Sequence, residues 1–496
     1  MLSIKMPTIG LVELPSVGFI NNDGNNMISD ETKGLPLVSK QILMSNLRAS
    51  GFDVHLIDLR QGTYQEEYGK FLWRNTEQTK VYYGRKIQEI DPLAFEVWGV
   101  TNNFSQQREI ACLTIKHLVK KGRPVIVGGS DAIAEPKSYL GAGASAIVLD
   151  KSGAANAAIV NYILRKTPRE ELSGVILTSG NQPPLRVKRS LHPQEWPIPE
   201  ASVIEQCLGT QLKNIYIPND RLKIGSIIPD IGCDRHCDFC QTPKYRLGYK
   251  AMSPEKIKEW LVAQKNAGAN SMAFFSDQFL GRILNVKKGG RDDILEIVKC
   301  YRELGLATYW ENGMELKKAT LGRGITSDVT PDEELIDALW GWDGKTGCYS
   351  AFIPAERPLF GRENYAKLLS WQEHCNMVKA IAHAGVPNIS YGVVIGFADD
   401  NDDSFLQLEE AIIGLHEDIR AINPSVNFLV YPQTLTPIPG TSQWKILKSS
   451  GLLRFDDPSV LGGIWISAID THYLTYEQVA DWQARLAQIG TPHSGL

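Results

Sequence analysis

The chain has 496 residues, enough for two domains and an appendage, and 43% of them are hydrophobic and 22% charged, as in an ordinary globular protein. Its 52 Lys and Arg against 56 Asp and Glu give a net charge of −4, which does not indicate nucleic acid or an anionic membrane surface as a partner. No run of eighteen apolar residues occurs, so the sequence predicts no membrane span.

Eight cysteines in so long a chain do not form a disulfide framework. Three lie close together, and the other five are scattered among apolar neighbours, where buried free thiols are typical. The first fifteen residues, MLSIKMPTIGLVELP, are too interrupted for a signal peptide. A reducing, cytoplasmic location is therefore expected.

Short apolar runs alternate with helical patterns over the first 165 residues. The predicted strands are residues 8–14, 54–58, 95–100, 124–129 and 144–149, and the predicted helices include 106–119, 154–164 and one that ends at Gly51. Nearly unbroken apolar strands are typical of a parallel sheet covered on both faces. Residues 1–165 are therefore predicted to be an α/β domain, Rossmann-like or flavodoxin-like, with its ligand off the carboxyl ends of the strands.

The carboxyl ends of two of these predicted strands carry mostly Gly, Ser and Asn. The residues at these ends are Asn102, Asn103, Phe104, Ser105, Gly128, Gly129 and Ser130. Glycine, Ser and Asn let backbone amides approach a large ligand that carries amides and phosphate, so these loops are the predicted ligand site. Residues 166–222, with a basic run at 185–189 and a Pro-rich run at 196–199, are interpreted as a linker.

The most informative stretch is 231–243, where Cys233, Cys237 and Cys240 follow a C-x3-C-x2-C spacing with Phe239 before the last cysteine. Three thiolates in so tight a loop can bind three corners of one iron–sulfur cube and leave the fourth iron without a protein ligand. A structural zinc site normally needs four protein ligands, and turning His236 onto the same metal would strain the loop. Three buried thiols or a zinc loop remain the alternative reading.

This stretch resembles the signature of the radical S-adenosylmethionine (SAM) family, in which the open iron chelates the methionine end of SAM. The predicted strand 224–228 leads directly into it, which places the cluster at the carboxyl end of a strand, where α/β barrels carry their chemistry. Further strands are predicted at 271–275, 308–311, 350–353, 389–395 and 426–430. Six strand–helix units predict an open, partial (β/α)6 barrel of the TIM type over 223–435, followed by a helical extension, 436–496.

The family resemblance also implies which residues hold SAM besides the aromatic of the cysteine loop, Phe239. The acidic candidates at strand ends are Asp277, Glu311 and Glu356, the last in a Pro-Ala-Glu-Arg turn similar to the family's Gly-x-Glu-Ser. Gly392 and Gly396 lie in a segment that resembles the family's G-x-I-x-G-x-P strand, whose backbone packs on adenine, with Ala398 where Pro is usual.

Four aspartates at 399–403 lack the Gly and Glu positions of an EF-hand, so they are interpreted as a solvated acidic turn that caps a helix over 404–415. Five aromatic residues near predicted strand ends or in the cysteine loop are candidates for lining a substrate space, although most are expected to be core. They are Tyr245, Trp310, Tyr349, Tyr391 and Tyr431.

The first half resembles the cobalamin-binding domain found ahead of many radical SAM domains. The similar runs are "GLPL…L…GFDVHLID", "DPLAFEVWGV" and "RPVIVGGS". The corrinoid motif D-x-H-x-x-G is absent, because Asp58 stands where Gly would follow Asp53-Val-His55, and the common acidic turn is replaced by Asp150-Lys-Ser-Gly153. The resemblance implies cobalamin bound without a histidine ligand, and a scaffold domain without cofactor is the alternative.

Together the resemblances imply a [4Fe-4S] cluster, SAM and cobalamin, and an electron donor such as flavodoxin or ferredoxin. One SAM would remethylate cob(I)alamin, and another would give the radical that activates the substrate. The expected function is therefore methylation of a carbon centre of a small molecule or peptide. A radical cyclase or rearrangement enzyme with the same cofactors, or a non-catalytic corrinoid- or nucleotide-binding protein, are the alternatives.

Overall fold

The computed structural model describes residues 6–30, 33–178, 184–210, 223–285, 289–310, 312–461 and 466–490. The strands of its first half are β1 (Thr8–Glu13), β2 (Ser16–Asn21), β3 (Asn26–Asp30), β4 (Asp53–Asp58), β5 (Tyr64–Trp73), β6 (Thr76–Gly84), β7 (Val97–Thr101), β8 (Val125–Gly128), β9 (Ala146–Val148) and β10 (Val175–Leu177). The helices are α1 (Val38–Ala49), α2 (Arg108–Leu118), α3 (Ser130–Ala134), α4 (Pro136–Gly141), α5 (Asn156–Ile163) and α6 (Ala201–Cys207).

Six of these strands form one sheet in the order β10-β9-β8-β7-β1-β4, parallel except for β10. The five parallel strands follow the flavodoxin-like order, and the chain reverses direction across the sheet between β1 and β7, where such sheets open a ligand crevice. Apolar side chains cover both faces of the sheet, because two separate core clusters pack against it. The predicted doubly wound α/β domain is confirmed.

The predicted linker does not begin at residue 166 in the structure. β10 adds a strand to the edge of the sheet beyond that position, and α6 buries Val203 and Cys207 in the same core as α1. The correction has a simple reason: both elements are too short to give a periodic pattern of their own. The part of the prediction at 179–183 and 211–222 lies outside the described residues.

A second sheet was not predicted from the sequence. It is antiparallel, in the order β3-β2-β6-β5, and a two-residue turn at Arg74 and Asn75, both with positive φ, joins β5 to β6. β5 is largely polar and partly exposed, so it lacks the apolar run by which the other strands were recognised. The sheet packs through Phe19 against Val460 and Ala468 near the end of the chain.

The second half contains β11 (Ile224–Ile227), β12 (Asp230–Ile231), β13 (Lys250–Ala251), β14 (Ser271–Phe274), β15 (Ala307–Trp310), β16 (Gly347–Glu356), β17 (Asn388–Ile395) and β18 (Asn427–Thr434). Its helices are α7 (Pro254–Asn266), α8 (Arg291–Glu303), α9 (Glu333–Trp340), α10 (Trp371–His383), α11 (Asp402–Ile422), α12 (Ser442–Ser450) and α13 (Tyr476–Leu486). Six strands pair in chain order, β11-β14-β15-β16-β17-β18, and all pairs are parallel. The open, partial (β/α)6 barrel is therefore confirmed.

One detail of the second half differs from the prediction. Asp400 is buried rather than solvated: its carboxylate accepts hydrogen bonds from the backbone N–H groups of Gly396 and Phe397 and pairs with Arg357, while Asn401 caps α11. The C-terminal extension packs on the barrel, where Gln483 on α13 donates to the carbonyl of Pro432 at 2.9 Å. Among the described residues, none of the helices has the length and apolarity to span a bilayer.

Candidate active site

The cysteine loop leaves the carboxyl end of β11 and is closed at its base by the short pair β12 and β13. Gly232 at the entrance has φ of +80°, and a Cβ there would lie 1.9 Å from the carbonyl oxygen of Gly248 across the base. The Gly232 N–H donates to Asp277 Oδ2 at 2.7 Å. The end of β14 therefore holds the loop against the barrel mouth, and only glycine fits at its first turn.

Cys233, Cys237 and Cys240 are unpaired thiols that are partly exposed and line one cavity of about 190 Å³. Burial raises the pKa of Cys237 to about 11, and the nearby Lys367 cation opposes this rise. Among the described residues no three His, Cys, Asp or Glu side chains converge on a point where they could hold a single metal ion. Three thiolates that each bind a different iron of a cube need not converge on one point, so this geometry is compatible with a cluster.

An ion-pair network fixes the floor beside Cys233. Arg235 pairs with Glu315, which also accepts from Gln278 Nε2 at 2.9 Å and pairs with Lys318 at 3.3 Å. Lys318 reaches back to Asp234 at 3.0 Å. Because Glu315 and Lys318 are almost fully buried, these contacts hold the cysteine loop with charged hydrogen bonds in a low-dielectric setting.

Glu356, predicted to contact SAM, lines the same cavity as the cysteines. It has φ of +56°, a left-handed conformation that non-glycine residues rarely adopt, at a bulge where β16 leaves its register with β17. Burial raises the pKa of its carboxyl, while Lys367 opposes this by pairing with one oxygen; the other oxygen, Oε2, is buried and has no hydrogen-bond partner. A strained backbone that holds an unsatisfied carboxylate oxygen at a cavity is typical of a ligand site.

The other predicted SAM contacts have mixed outcomes. Phe239 lines the cavity edge-on to Tyr365, with ring centroids 5.4 Å apart. Asp277 also lines it, although one of its oxygens is used by Gly232. The structure assigns packing roles to Gly392 and Gly396, which line neither this cavity nor the cleft described next: a Cβ on Gly392 would lie 2.4 Å from Phe352, and the Gly396 N–H donates to Asp400. Glu311 lies outside the described residues.

A second, larger cleft of about 620 Å³ lies between the sheet domain and the barrel. One wall is the edge formed by the carboxyl ends of β7, β8 and β9, and the opposite wall comes from the cysteine loop and from the ends of β14 and β15. The cleft extends into an apolar pocket between the sheet and helices α1 and α5, lined by residues such as Ile42, Val97 and Val160. This volume lies within the range of about 300–1,000 Å³ that is typical of ligand pockets.

Five of the seven strand-end residues predicted for the ligand line this cleft: Asn103, Phe104, Gly128, Gly129 and Ser130. Phe104 is 53% exposed there, so the cleft presents an aromatic ring without a covering side chain.

Asn102 and Ser105 do not line the cleft, which corrects their predicted role. Asn102 donates to the Tyr139 hydroxyl at 2.7 Å, and Ser105 donates to Asp131 at 2.8 Å, both inside the domain. Gly129 has φ of +104°, and a Cβ there would lie 2.1 Å from the Asn102 carbonyl oxygen. Glycine is therefore needed at this position for the two loops to approach each other, whether or not a ligand is bound.

Lys151 is the one cation among the described side chains that line the cleft, and no histidine is among them. Its Nζ lies 2.9 Å from Ser130 Oγ and 3.4 Å from Asn103 Oδ1, and 5.3 Å from the centre of the Tyr245 ring on the barrel side. Burial lowers the pKa of Lys151 to about 8, although Asp277 opposes this. His55 is half-exposed on β4, and its Nε2 lies 3.0 Å from Asp53 Oδ1.

The cysteine cavity and the cleft are adjacent. Three residues line both of them: Thr242, Asp277 and Asn312. Of the aromatic substrate candidates, Tyr245 lines the cleft, whereas Trp310, Tyr349 and Tyr391 are buried in the barrel core. A molecule at this junction is in reach of both spaces.

Sequence reasoning missed Lys367 and assigned no role to Lys151. Lys367 lies in an irregular connection between β16 and α10, where no pattern points to a partner. Lys151 did carry a signal, because it stands in the Asp-Lys-Ser-Gly turn that departs from the acidic turn of similar domains. Its contacts nevertheless depend on how the two halves pack, which no local pattern encodes.

No family model and no curated protein sequence matches the chain. Solved structures do match along nearly its whole length. The cobalamin-dependent S-adenosylmethionine radical enzyme OxsB, solved with aqua-cobalamin bound, matches with a TM-score of 0.67 at 14% identity over 97% of this chain, which spans 66% of the OxsB chain. OxsB has also been solved with both aqua-cobalamin and S-adenosylmethionine, and that structure gives a TM-score of 0.65.

The radical S-adenosylmethionine methyltransferase TsrM from Kitasatospora setae, solved with cobalamin and a [4Fe-4S] cluster, matches with a TM-score of 0.61 at 12% identity. The match covers 98% of this chain and 90% of TsrM. These likenesses extend across both the sheet domain and the barrel. The chain therefore has the fold of the cobalamin-dependent radical SAM enzymes, as the resemblance in its sequence predicted.

Proposed function

We propose that the chain is a radical SAM enzyme that uses a [4Fe-4S] cluster and cobalamin to methylate a carbon centre of a small molecule or peptide. The observation that carries this proposal is the junction between the two spaces, where Thr242, Asp277 and Asn312 line both the cysteine cavity and the cleft. A substrate held there lies between the two cofactor sites. OxsB was solved with aqua-cobalamin and S-adenosylmethionine, and TsrM with cobalamin and a [4Fe-4S] cluster; both share the fold, and this supports the proposal.

The residues present fit the cofactors. Three partly exposed cysteines without a fourth ligand suit a cluster with one open iron, and the unsatisfied Glu356 oxygen suits a hydrogen-bond donor of SAM. The exposed Phe104 ring and the apolar pocket behind it suit the large organic surface of cobalamin. When bound, the cluster supplies electrons, SAM supplies a carbon radical, and cobalamin supplies a methyl group.

The chain's own residues would bind the cluster and orient SAM. Cys233, Cys237 and Cys240 bind the cluster, and Asp277 holds their loop through Gly232. Glu356, with its charge balanced by Lys367, orients SAM. Electrons come from a one-electron donor protein such as flavodoxin or ferredoxin, which we propose as the partner.

The test is anaerobic reconstitution followed by measurement of iron, sulfide and cobalt and by mass spectrometry of candidate products with methyl-labelled SAM. We expect about four irons and one cobalt per chain, with labelled methyl in the product. Cobalt and 5′-deoxyadenosine without label in any product would instead favour a cyclase or rearrangement enzyme. Iron and cobalt without any cleavage of SAM would favour a binding protein.

SAM binding is tested separately by titration of the reconstituted protein. Glu356→Gln should weaken SAM binding about tenfold or more, because a charge-assisted hydrogen bond is lost, while iron content stays at the parent level. Asp277→Asn is expected to affect both SAM and the cluster, since Asp277 also holds Gly232. Unchanged SAM affinity in both variants would assign these carboxylates to the fold alone.

Cobalamin binding is tested by filling the cleft. Gly129→Trp is unsuitable, because any side chain there meets the Asn102 backbone. At Gly128, which also lines the cleft, a Cβ meets only the Val148 side chain, at 3.9 Å. Gly128→Phe should therefore fold and load iron but exclude cobalamin, whereas His55→Ala should bind cobalamin like the parent. Loss of cobalamin in His55→Ala together with retention in Gly128→Phe would contradict this site.

A further inference from the structure

We propose that Lys151 is a positioning residue that presents a fixed positive charge, and no ligand, to the face of a corrinoid bound against the ends of β7, β8 and β9. This inference rests on the proposed function, because it assumes cobalamin in the cleft, and it deepens it by naming the residue that controls the metal's surroundings.

The Lys151 ammonium lies close to three strand ends of the sheet. The ends of β9, β8 and β7 are neighbours in the sheet, and Lys151 follows β9. Its Nζ reaches Ser130 after β8 at 2.9 Å and Asn103 after β7 at 3.4 Å. The charge is therefore carried across three strand ends, and lies over the middle of the edge where doubly wound sheets bind their ligands.

Contacts from both domains fix the orientation of the Lys151 side chain. Ser130 Oγ and Asn103 Oδ1 both accept from the Lys151 ammonium, and Asn103 Oδ1 is itself held by the Ser130 backbone N–H at 3.0 Å. The Tyr245 ring lies 5.3 Å from the ammonium on the opposite wall. Three contacts from two domains thus fix a flexible side chain, and the hydrogen bond between Ser130 and Asn103 supports two of them.

No other described residue of the cleft lining can present a positive charge to a bound corrinoid. No histidine lines the cleft among the described residues, and its two acidic side chains are engaged: Asp150 with Ser152 and Ala155, and Asp277 with Gly232. Lys151 is the one described nitrogen base or cation in the lining. Any effect of a positive side-chain charge from this lining on a bound metal therefore falls to Lys151.

The ammonium of Lys151 would affect a bound cobalt in two ways. An ammonium has no lone pair, so it cannot bind cobalt, and by occupying the strand ends it keeps other ligands away. A positive charge near the metal stabilises its more electron-rich oxidation states relative to the oxidised ones. Both effects favour a cobalt centre that is easily reduced and weakly coordinated on that face.

The experiment is to load the protein with hydroxocobalamin, reduce it to the Co(II) state and record its electron paramagnetic resonance spectrum and its Co(II)/Co(I) potential. The variants are Lys151→Leu, which removes the charge, Lys151→Arg, which keeps it, and Lys151→His, which offers a coordinating nitrogen. His55→Ala is the matched control, because His55 lies away from the cleft. Circular dichroism confirms that each variant is folded.

We expect no nitrogen splitting in the parent or in Lys151→Arg, a more negative potential in Lys151→Leu, and nitrogen splitting in Lys151→His. Nitrogen splitting in the parent that disappears in Lys151→Leu would make the lysine a ligand and overturn the proposal. Splitting that persists in Lys151→Leu, or a potential unchanged in it, would show that Lys151 does not act on the metal and only joins the two domains.

Failure of the proposed function looks different. If the parent loads iron but takes up no cobalamin, the cofactor assignment is wrong, and this inference falls with it. If the parent takes up cobalamin and Lys151→Leu and Lys151→Arg both match it in spectrum and potential, the cofactor assignment stands and only the role of Lys151 is lost.

Discussion

At the scale of single residues, the site holds ionisable groups in surroundings that disfavour their charged forms. Glu356 is a carboxylate in a left-handed conformation with one buried oxygen unsatisfied, and Lys151 is an ammonium whose pKa burial lowers to about 8. Each arrangement costs stability in the free protein. Their occurrence at two adjacent cavities indicates that a ligand compensates the cost.

The cysteines give the first prediction. Cys237→Ala should abolish iron loading, because two thiolates cannot hold a cube with the third corner open to solvent. Cys112→Ala is the control: Cys112 is a thiol whose pKa burial raises to about 11, and its loss should cost only packing, about 1 kcal/mol, with iron retained. Iron content and SAM cleavage are measured. A Cys237→Ala protein that cleaves SAM at the parent rate would refute the cluster assignment.

His374 gives a pH prediction. It lines the cysteine cavity, its Nε2 lies 2.8 Å from the Tyr391 hydroxyl, and burial lowers its pKa to about 4. In the unfolded chain a histidine takes up its proton near pH 6.5. Between these values the unfolded state binds more protons, so the free energy of unfolding falls as the pH falls from about 6.5 towards 4.

His374→Gln should remove this part of the pH dependence, which is measured by urea unfolding of the apo protein at several pH values between 4 and 7. The substitution lowers stability at pH 7, because the buried Tyr391 contact is disturbed, but its deficit should shrink as the pH falls. His383→Gln, an exposed change on the same helix, controls for the residue type. A deficit that stays constant over this range would show that His374 is protonated in the folded state as readily as in the unfolded one.

At the scale of elements, the sequence was informative where burial imposes a pattern. The apolar runs at β1, β7 and β8 were predicted within a few residues, because these strands are buried in the sheet. β5 and β6 were missed, since half-exposed hairpin strands mix polar and apolar residues. The site follows the same division: the cysteines have a fixed spacing, whereas the Lys367–Glu356 and Lys151–Tyr245 contacts join segments whose meeting depends on the whole fold.

The base of the cysteine loop gives an element-scale prediction. Gly232→Ala should displace the loop, because its Cβ would lie 1.9 Å from the Gly248 carbonyl oxygen, and iron loading should fall severely. Gly248→Ala is a matched control in the same base, with φ of +63° and no atom within 4 Å of its Cβ, so only about 1 kcal/mol of backbone strain is expected. Iron content is compared after reconstitution. Equal loading of both variants would show that the loop does not need its tight base.

At the scale of the whole molecule, the antiparallel sheet ties the two halves together. Lys80 on β6 is 3% exposed and pairs with Glu109 on α2 at 2.9 Å and with Asp457, near the end of the chain, at 2.7 Å. Trp73 Nε1 donates to the Ser467 carbonyl at 3.3 Å nearby. The cleft therefore lies between parts that are joined at a distance from it, and its width depends on these contacts.

Lys80→Met should lower the free energy of unfolding by about 2 kcal/mol, because two carboxylates lose their shared cation; the cost stays below that of a fully buried pair, since both keep some exposure to water. Because Lys80 joins the sheet domain to the C-terminal segment that packs on the barrel, the loss should also weaken cobalamin binding while iron loading is kept. Lys70→Met is the matched control, as Lys70 pairs with Glu77 at 2.7 Å on the exposed side of the same hairpin, and it should change neither quantity measurably. Urea unfolding and a cobalamin titration measure the two effects. Equal behaviour of the two variants would mean that the sheet is an appendage and that the cleft is held by the barrel contacts alone.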